Sequence, residues 1–222
     1  MEKMPYQPHL EPVVATVPLE NPPAAGSADW RTGLPTLTGS MVMLRELRAT
    51  DAASLLAALS TEEVSRFISP PPTTVEGFER FIQWTHRQRA AGQYACFAIV
   101  PRGSEEAVGL FQVRALEPGF QTAEWGFAMA SPYWGTGMFL DGAQLTLDFA
   151  FSAIGVHRME ARAAVQNGRG NGALRKLGAV QEGILRRAFL RRGEYLDQML
   201  WTILAEEWME SKAIWGPDVV VH

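Results

Sequence analysis

The chain has 222 residues, 47% of them apolar and 20% charged, with a net charge of −4, the make-up of a globular protein with one sizeable core. The slight acidity excludes a general affinity for nucleic acid, and no apolar run is long enough to span a bilayer. Cys96 is the only cysteine, which excludes an internal disulfide and a cysteine-rich zinc site.

Seven of the fourteen prolines fall in the first 35 residues, so residues 1–36 read as a Pro-rich extended arm that can neither sustain a helix nor pair inside a sheet. The arm is either disordered or lies on its own domain or on the partner chain of a homodimer. No basic segment followed by an apolar one opens the chain, so a cytoplasmic location is expected. The globular pattern runs over 37–205, with 206–222 a C-terminal extension. LTGSMVMLRELR (37–48) reads as a strand, and Thr50 or Asp51 can cap a helix through residues 51–59. TEEVSRFI (61–68) is a short helix stopped by Pro70–Pro72, and residues 73–92 form a third helix ending at Gly92. QYACFAIV, AVGLFQVRAL and TAEWGFAMA are three apolar strands of an antiparallel meander, and Cys96, inside the first of them, reads as buried packing rather than a nucleophile.

SPYWGTGMFL (131–140) then leads into a helix with Leu140, Ala143, Leu147, Phe151 and Ile154 on one face, ended by Gly155. HRMEARAAV is the next strand, ALRKLG a short helix, and VQEGILRRAFL with EYLDQMLWTIL a closing hairpin. The four histidines are scattered, with no metal-ligand spacing, so no metal is expected.

The chemistry concentrates at SPYWGTGMFL. A helix N-terminus offers unpaired N–H groups and partial positive charge, and Gly135 and Gly137 let a phosphate approach them. By itself the Gly-x-Gly fits equally a plain helix start. No lysine follows, so a Walker loop is absent, and Leu140 stands where a dinucleotide fingerprint needs glycine.

The chain from about Leu37 to Leu204, with the sharpest motifs in Glu124–Leu185, resembles the GNAT acyl-CoA N-acyltransferase superfamily, closest to its RimJ/RimL-like branch of ribosomal-protein alanine N-acetyltransferases. The coenzyme loop Arg/Gln-x-x-Gly-x-Gly/Ala matches Trp134, Gly135, Thr136, Gly137, Met138 and Phe139. The segment Asn-x-x-Ser…Lys-Leu-Gly-Phe…Glu-Gly matches Asn167, Gly170, Lys176, Leu177, Gly178, Ala179, Glu182 and Gly183. The resemblance implies a mixed α/β fold, a mostly antiparallel twisted sheet of about seven strands flanked by helices. It also implies transfer of an acyl group from acetyl-CoA, or another acyl-CoA, to a primary amine of a peptide or small molecule.

In that frame, backbone from Gly135 to Phe139 cradles the coenzyme pyrophosphate, with Trp134 packed beneath the turn. The pantetheine arm pairs with the strand carrying Phe127 and Met129, which splays from HRMEARAAV. Asn167, Gly170, Leu174 and Arg175 lie along the arm, although Asn167 is equally a turn former. Arg169 and Arg175 suit the 3′-phosphate. Glu124 is the candidate general base, directly or through water, or else a carboxylate simply paired with an arginine. The basic residues Arg186, Arg187, Arg191 and Arg192 read as a solvated turn or as attraction for an acidic substrate. Trp134 fills the slot usually held by arginine or glutamine, and Phe139, Gly170 and Leu174 also depart from the family pattern. Phe139 replaces a small residue: turned into the core it leaves the reading standing, and turned toward the coenzyme groove it weakens it. Gly170 replaces serine, and Leu174 stands where a tyrosine acid is common. These departures leave no general acid assigned and keep open a non-catalytic acyl-CoA-binding protein.

Overall fold

Alternation of side chains, not continuous hydrophobicity, decides how the central strands are used. The computed structural model describes residues 29–215, so the arm expected over residues 1–36 lies mostly outside the described residues. The chain runs β1 (Leu37–Thr38), β2 (Val42–Glu46), α1 (Ala52–Leu59), α2 (Glu62–Ser65), α3 (Val75–Ala90), β3 (Tyr94–Pro101), β4 (Gly109–Ala115) and β5 (Thr122–Met129). It continues through α4 (Met138–Phe149), β6 (Arg158–Ala164), α5 (Gly168–Lys176), β7 (Val180–Arg191), β8 (Glu194–Leu204) and α6 (Ala205–Trp215). On β3, Ala95, Phe97 and Ile99 enter one core cluster, with α4 and α5 residues such as Leu147 and Leu174. Tyr94, Cys96, Ala98 and Val100 enter a second, with Leu55, Leu59, Phe78 and Ile82 of α1 and α3. Period-two alternation therefore buries both faces of the sheet.

The eight strands form one sheet in the order β1-β2-β3-β4-β5-β6-β8-β7. Every neighbouring pair is antiparallel except β5 and β6. That parallel pair is brief: only Thr122–Glu124 pair with Arg158–Glu160, although β5 runs on to Met129 and β6 to Ala164. The two strands part there, and the sheet has a gap between their C-terminal halves.

Several boundaries differ from the sequence expectation. The single strand expected over 37–48 is two, separated by a turn at Gly39–Met41. The turn is held from far along the chain: the Asp141 carboxylate in the first turn of α4 accepts from the N–H groups of Ser40 (3.0 Å), Met41 (2.9 Å) and Val42 (2.9 Å), and from the Ser40 hydroxyl (2.9 Å). This makes eight strands rather than seven. Asp51 precedes α1 but makes no side-chain cap on it. Its buried carboxylate instead takes both Arg45 guanidinium nitrogens at 2.7 Å and the Arg48 N–H at 2.7 Å. The core also outruns the 37–205 span: Trp30 is buried edge-on against Phe120, and Trp208 of α6 is buried and donates to Asp148 at 2.7 Å. Cys96 is buried, and desolvation pushes its thiol well above the usual range. No helix among the described residues is long and apolar enough to cross a membrane.

Candidate active site

A cleft of about 1230 Å³ opens where β5 and β6 part. Its floor is the end of β5, Phe127–Met129. One wall is the turn from Trp134 into α4, another is Gln166–Lys176 along α5, and the far side is α2 with its following loop, Glu62–Ile68, joined by Arg192.

Main-chain polarity suits this floor for an extended, amide-rich ligand. The Ala130 N–H donates to Val108 O at 2.8 Å on the β4 side. Alternation along the strand then turns the main-chain groups of Phe127 and Met129 toward the gap. Met129 O is met there by the Trp134 indole N–H at 2.8 Å. Trp134 packs against the core clusters on both faces of the sheet, a position available only to a residue at an opening.

The Gly-x-Gly turn is built around backbone that side chains resist. Gly135 and Gly137 have φ of +76° and +94°, the left-handed region. A Cβ on Gly137 would lie 3.2 Å from the Met41 sulfur, whereas one on Gly135 would meet nothing within 4 Å, because Gly135 looks into the cleft. Gly137 is the N-cap of α4. The first intrahelical bond runs from the Asp141 N–H to Gly137 O, at 3.1 Å, so the N–H groups of Met138, Phe139 and Leu140 lie outside the helical ladder. Phe139 is half-buried: its ring packs on Phe127 (4.6 Å between centroids, 62°) and Phe111 (5.6 Å), while part of it lines the cleft.

Asn167 caps α5, its side-chain oxygen accepting from the Gly170 N–H at 2.9 Å. A Cβ on Gly170 would come within 2.5 Å of the Asn167 amide nitrogen. Gly170 and this form of the cap therefore belong together. Asn167 itself lines the cleft. Opposite, the β7–β8 hairpin tip reaches α2: Arg191 donates to Ser65 O (2.6 Å) and Arg66 O (3.4 Å), and Arg192 pairs with Glu62 at 2.9 Å. These two arginines are thus tied to the cleft wall rather than simply solvated.

A family model described as an acetyltransferase (GNAT) domain matches residues 42–180. The chain belongs to the GNAT acetyltransferase family. Among its relatives are the uncharacterized N-acetyltransferase p20 of Bacillus licheniformis, 25% identical over 174 residues (78% of this chain, 98% of the relative), and the uncharacterized N-acetyltransferase YoaA of Bacillus subtilis, 26% identical over 173 residues (77% and 97%). The fold is shared with Mycobacterium smegmatis RimJ in complex with CoA-disulfide, at TM-score 0.71 and 23% identity (78% of this chain, 88% of that one). It is shared too with the ribosomal-protein-S5-alanine acetyltransferase of Vibrio fischeri, at TM-score 0.71 and 18% identity (78% and 98%). The resemblance to the RimJ/RimL-like branch thus extends to the fold.

As a GNAT-family N-acetyltransferase, the protein must take coenzyme A, and the cleft's donor set fits it. Exposed turn N–H groups and the α4 N-terminus suit a diphosphate, and the free edge of β5 suits the amides of the pantetheine arm. Of the residues expected at the coenzyme, Phe127, Met129, Trp134, Gly135, Gly137, Phe139, Asn167 and Gly170 line the cleft. Thr136 and Met138 do not. The Thr136 hydroxyl donates to Tyr133 O at 2.8 Å and receives the Met138 N–H at 3.4 Å, shaping the turn from within. Leu174 is buried in the core, because α5 turns that face inward. Arg175 lies over the Trp201 ring, 5.5 Å from its centroid, away from the cleft.

Glu124 also falls outside the lining. It sits roughly 13 Å along β5 from Ala128, on the same strand face, paired with Arg114 and, at 3.6 Å, with Arg162. Direct abstraction of a proton by this carboxylate within the cleft does not fit that position. Glu63, Phe67 and Ile68 lie in a short helix and loop with no chemical motif, set beside the cleft by the packing of Val64 and Ile68 on the core and by the hairpin's bond from Arg191 to Ser65 O. Among the described residues no group of three or more His, Cys, Asp or Glu gathers as for a metal ion.

Proposed function

We propose that this protein transfers the acetyl group of acetyl-CoA to the primary amine of a protein N-terminus or small molecule. The observation that carries this reading is the gap between β5 and β6, with the main-chain groups of Phe127 and Met129 turned into it beside the left-handed Gly135–Gly137 turn. Coenzyme A lies along the α4–α5 side, its diphosphate at the turn and its amide arm on β5. The amine enters between α2 and the β7–β8 hairpin. The neutral amine attacks the thioester carbonyl, a C–N bond forms and the C–S bond breaks. The N–H of Phe127 or Met129 stabilises charge on the carbonyl oxygen.

The amine's proton passes through water toward Glu124, which Arg114 and Arg162 hold in place. The thiolate takes its proton from solvent, which a thiol pKa near 8.5 permits. The test is thiol release from acetyl-CoA over a panel of peptides with free N-termini and of small amines, with mass spectrometry of the acceptor. Amine-dependent thiol release with an acetylated acceptor supports the proposal. Tight coenzyme A binding without turnover on any amine supports the non-catalytic reading instead, which the buried Leu174 in place of an acid favours.

A further inference from the structure

Trp134 stands where the family pattern carries arginine or glutamine, so the pyrophosphate turn has no cationic side chain from its own stretch of sequence. A cation nevertheless reaches it from another element. Arg169, in the first turn of α5, holds its guanidinium carbon 4.4 Å from the centroid of the Trp134 ring, and both residues line the cleft. The ring is itself fixed, by the indole bond to Met129 O at 2.8 Å. Among the described residues Arg169 makes no ion pair and no side-chain hydrogen bond, in contrast to Arg192, which is committed to Glu62. Arg175, the other arginine of α5, is turned away over Trp201.

An arginine resting on an indole face is held by cation–π attraction while its N–H donors remain available at the edge. Those donors suit the paired oxygens of a phosphate. The ring that carries Arg169 belongs to the residue immediately before Gly135, so the guanidinium lies beside the turn and not at the far end of the cleft.

We propose that Arg169, carried on Trp134, is the cationic ligand of the coenzyme A pyrophosphate. The tryptophan does not replace the lost arginine chemically; it is the platform that brings an arginine of α5 to the same place. This assignment rests on the acetyl-CoA reading above. Coenzyme A offers a second phosphate of the same chemistry, its 3′-phosphate, and 3′-dephospho-coenzyme A separates the two.

The experiment is calorimetry of coenzyme A and 3′-dephospho-coenzyme A binding to the wild type, Arg169→Ala, Trp134→Leu and the double variant, each checked for an unchanged fold by circular dichroism. Arg169 is exposed, so its truncation leaves the core intact. The expected result is a loss of about tenfold or more for both ligands in Arg169→Ala, as for a lost charged hydrogen bond. Trp134→Leu weakens both as well, and adds less than its own single effect in the Arg169→Ala background. A loss confined to coenzyme A, with 3′-dephospho-coenzyme A unaffected, overturns the proposal in favour of a 3′-phosphate contact. Unchanged binding of both ligands by Arg169→Ala overturns it outright and leaves the acetyl-CoA reading standing. A wild type that binds neither ligand overturns both.

Discussion

Replacing Gly135 by alanine separates the cost of the turn's backbone from its use. Gly135 has φ of +76°, and Gly103, in the β3–β4 turn, has φ of +81°; an added Cβ meets nothing within 4 Å at either position. Alanine in the left-handed region costs about 1–2 kcal/mol at either site, or roughly 2–8 °C in Tm for a chain of this length. The two variants should therefore lose similar stability. They differ in what lies beyond the new methyl group. At Gly135 it projects into the cleft, where a phosphate oxygen must come to about 2.9 Å of the turn's N–H groups. At Gly103 it projects away from the cleft. Calorimetry should show at least a tenfold loss of coenzyme A affinity for Gly135→Ala and no more than a twofold change for Gly103→Ala. Equal affinities in the two variants would refute the assignment of this turn to the diphosphate.

Three further outcomes follow from the same geometry. For Asp141, burial works to raise the carboxyl pKa, but hydrogen bonds from Met41, Val42 and Ser40 outweigh it and leave the pKa below the usual value. Its stabilisation is therefore present above the unfolded value near 3.9 and fades as pH falls through the folded one. Asp141→Asn should cost at least about 1 kcal/mol at pH 7, and urea titrations should show its deficit against the wild type narrowing in acid; a deficit independent of pH would count against this role. Arg191→Ala frees the hairpin tip from the Ser65 and Arg66 carbonyls; steady-state kinetics should show acceptor KM rising severalfold with coenzyme A Kd within twofold, and a matching rise in Kd would contradict an acceptor-side wall. Glu124→Gln should lower kcat by about 10²-fold if the carboxylate takes the proton through water, whereas an unchanged kcat and pH profile would mean that solvent alone accepts it.

The parts of this fold that are legible in the sequence are those whose cause is local. β3, β4 and β5 stand out because apolar runs are cut by Gly/Pro turns, and α3 because its apolar residues recur at helical spacing up to the stop at Gly92; the structure adds a cap at Thr74, whose hydroxyl accepts from the Gly77 N–H at 3.0 Å. The Gly135–Gly137 turn is visible because its left-handed φ favours glycine. What is hidden depends on distant partners. The break between β1 and β2 depends on Asp141, about a hundred residues away in sequence. α6 docks through Trp208 and Lys212, both bonded to Asp148 of α4, and neither residue signals that pairing locally.

The same division holds at the site. The coenzyme side is a run of backbone specified by adjacent residues, so eight of its expected residues do line the cleft. Leu174 and Arg175 fall outside the cleft because the rotation of α5 is set by its packing on the sheet, not by its own sequence. Glu124 lies where strand alternation puts it, but its pairing with arginines of β4 and β6 depends on sheet register. The α2 wall depends on distant partners, the core packing of Val64 and the hairpin contacts of Arg191 and Arg192.

The most direct test of the account is amide hydrogen exchange with and without coenzyme A. The backbone of the turn and of the free β5 edge is claimed to do the binding, so bound coenzyme should slow exchange at Gly135–Leu140, Phe127 and Met129 while leaving the α1–α3 face unchanged. Protection that spares the turn and β5 and appears elsewhere, such as around the smaller cleft beside Trp84 and Arg114, would contradict it.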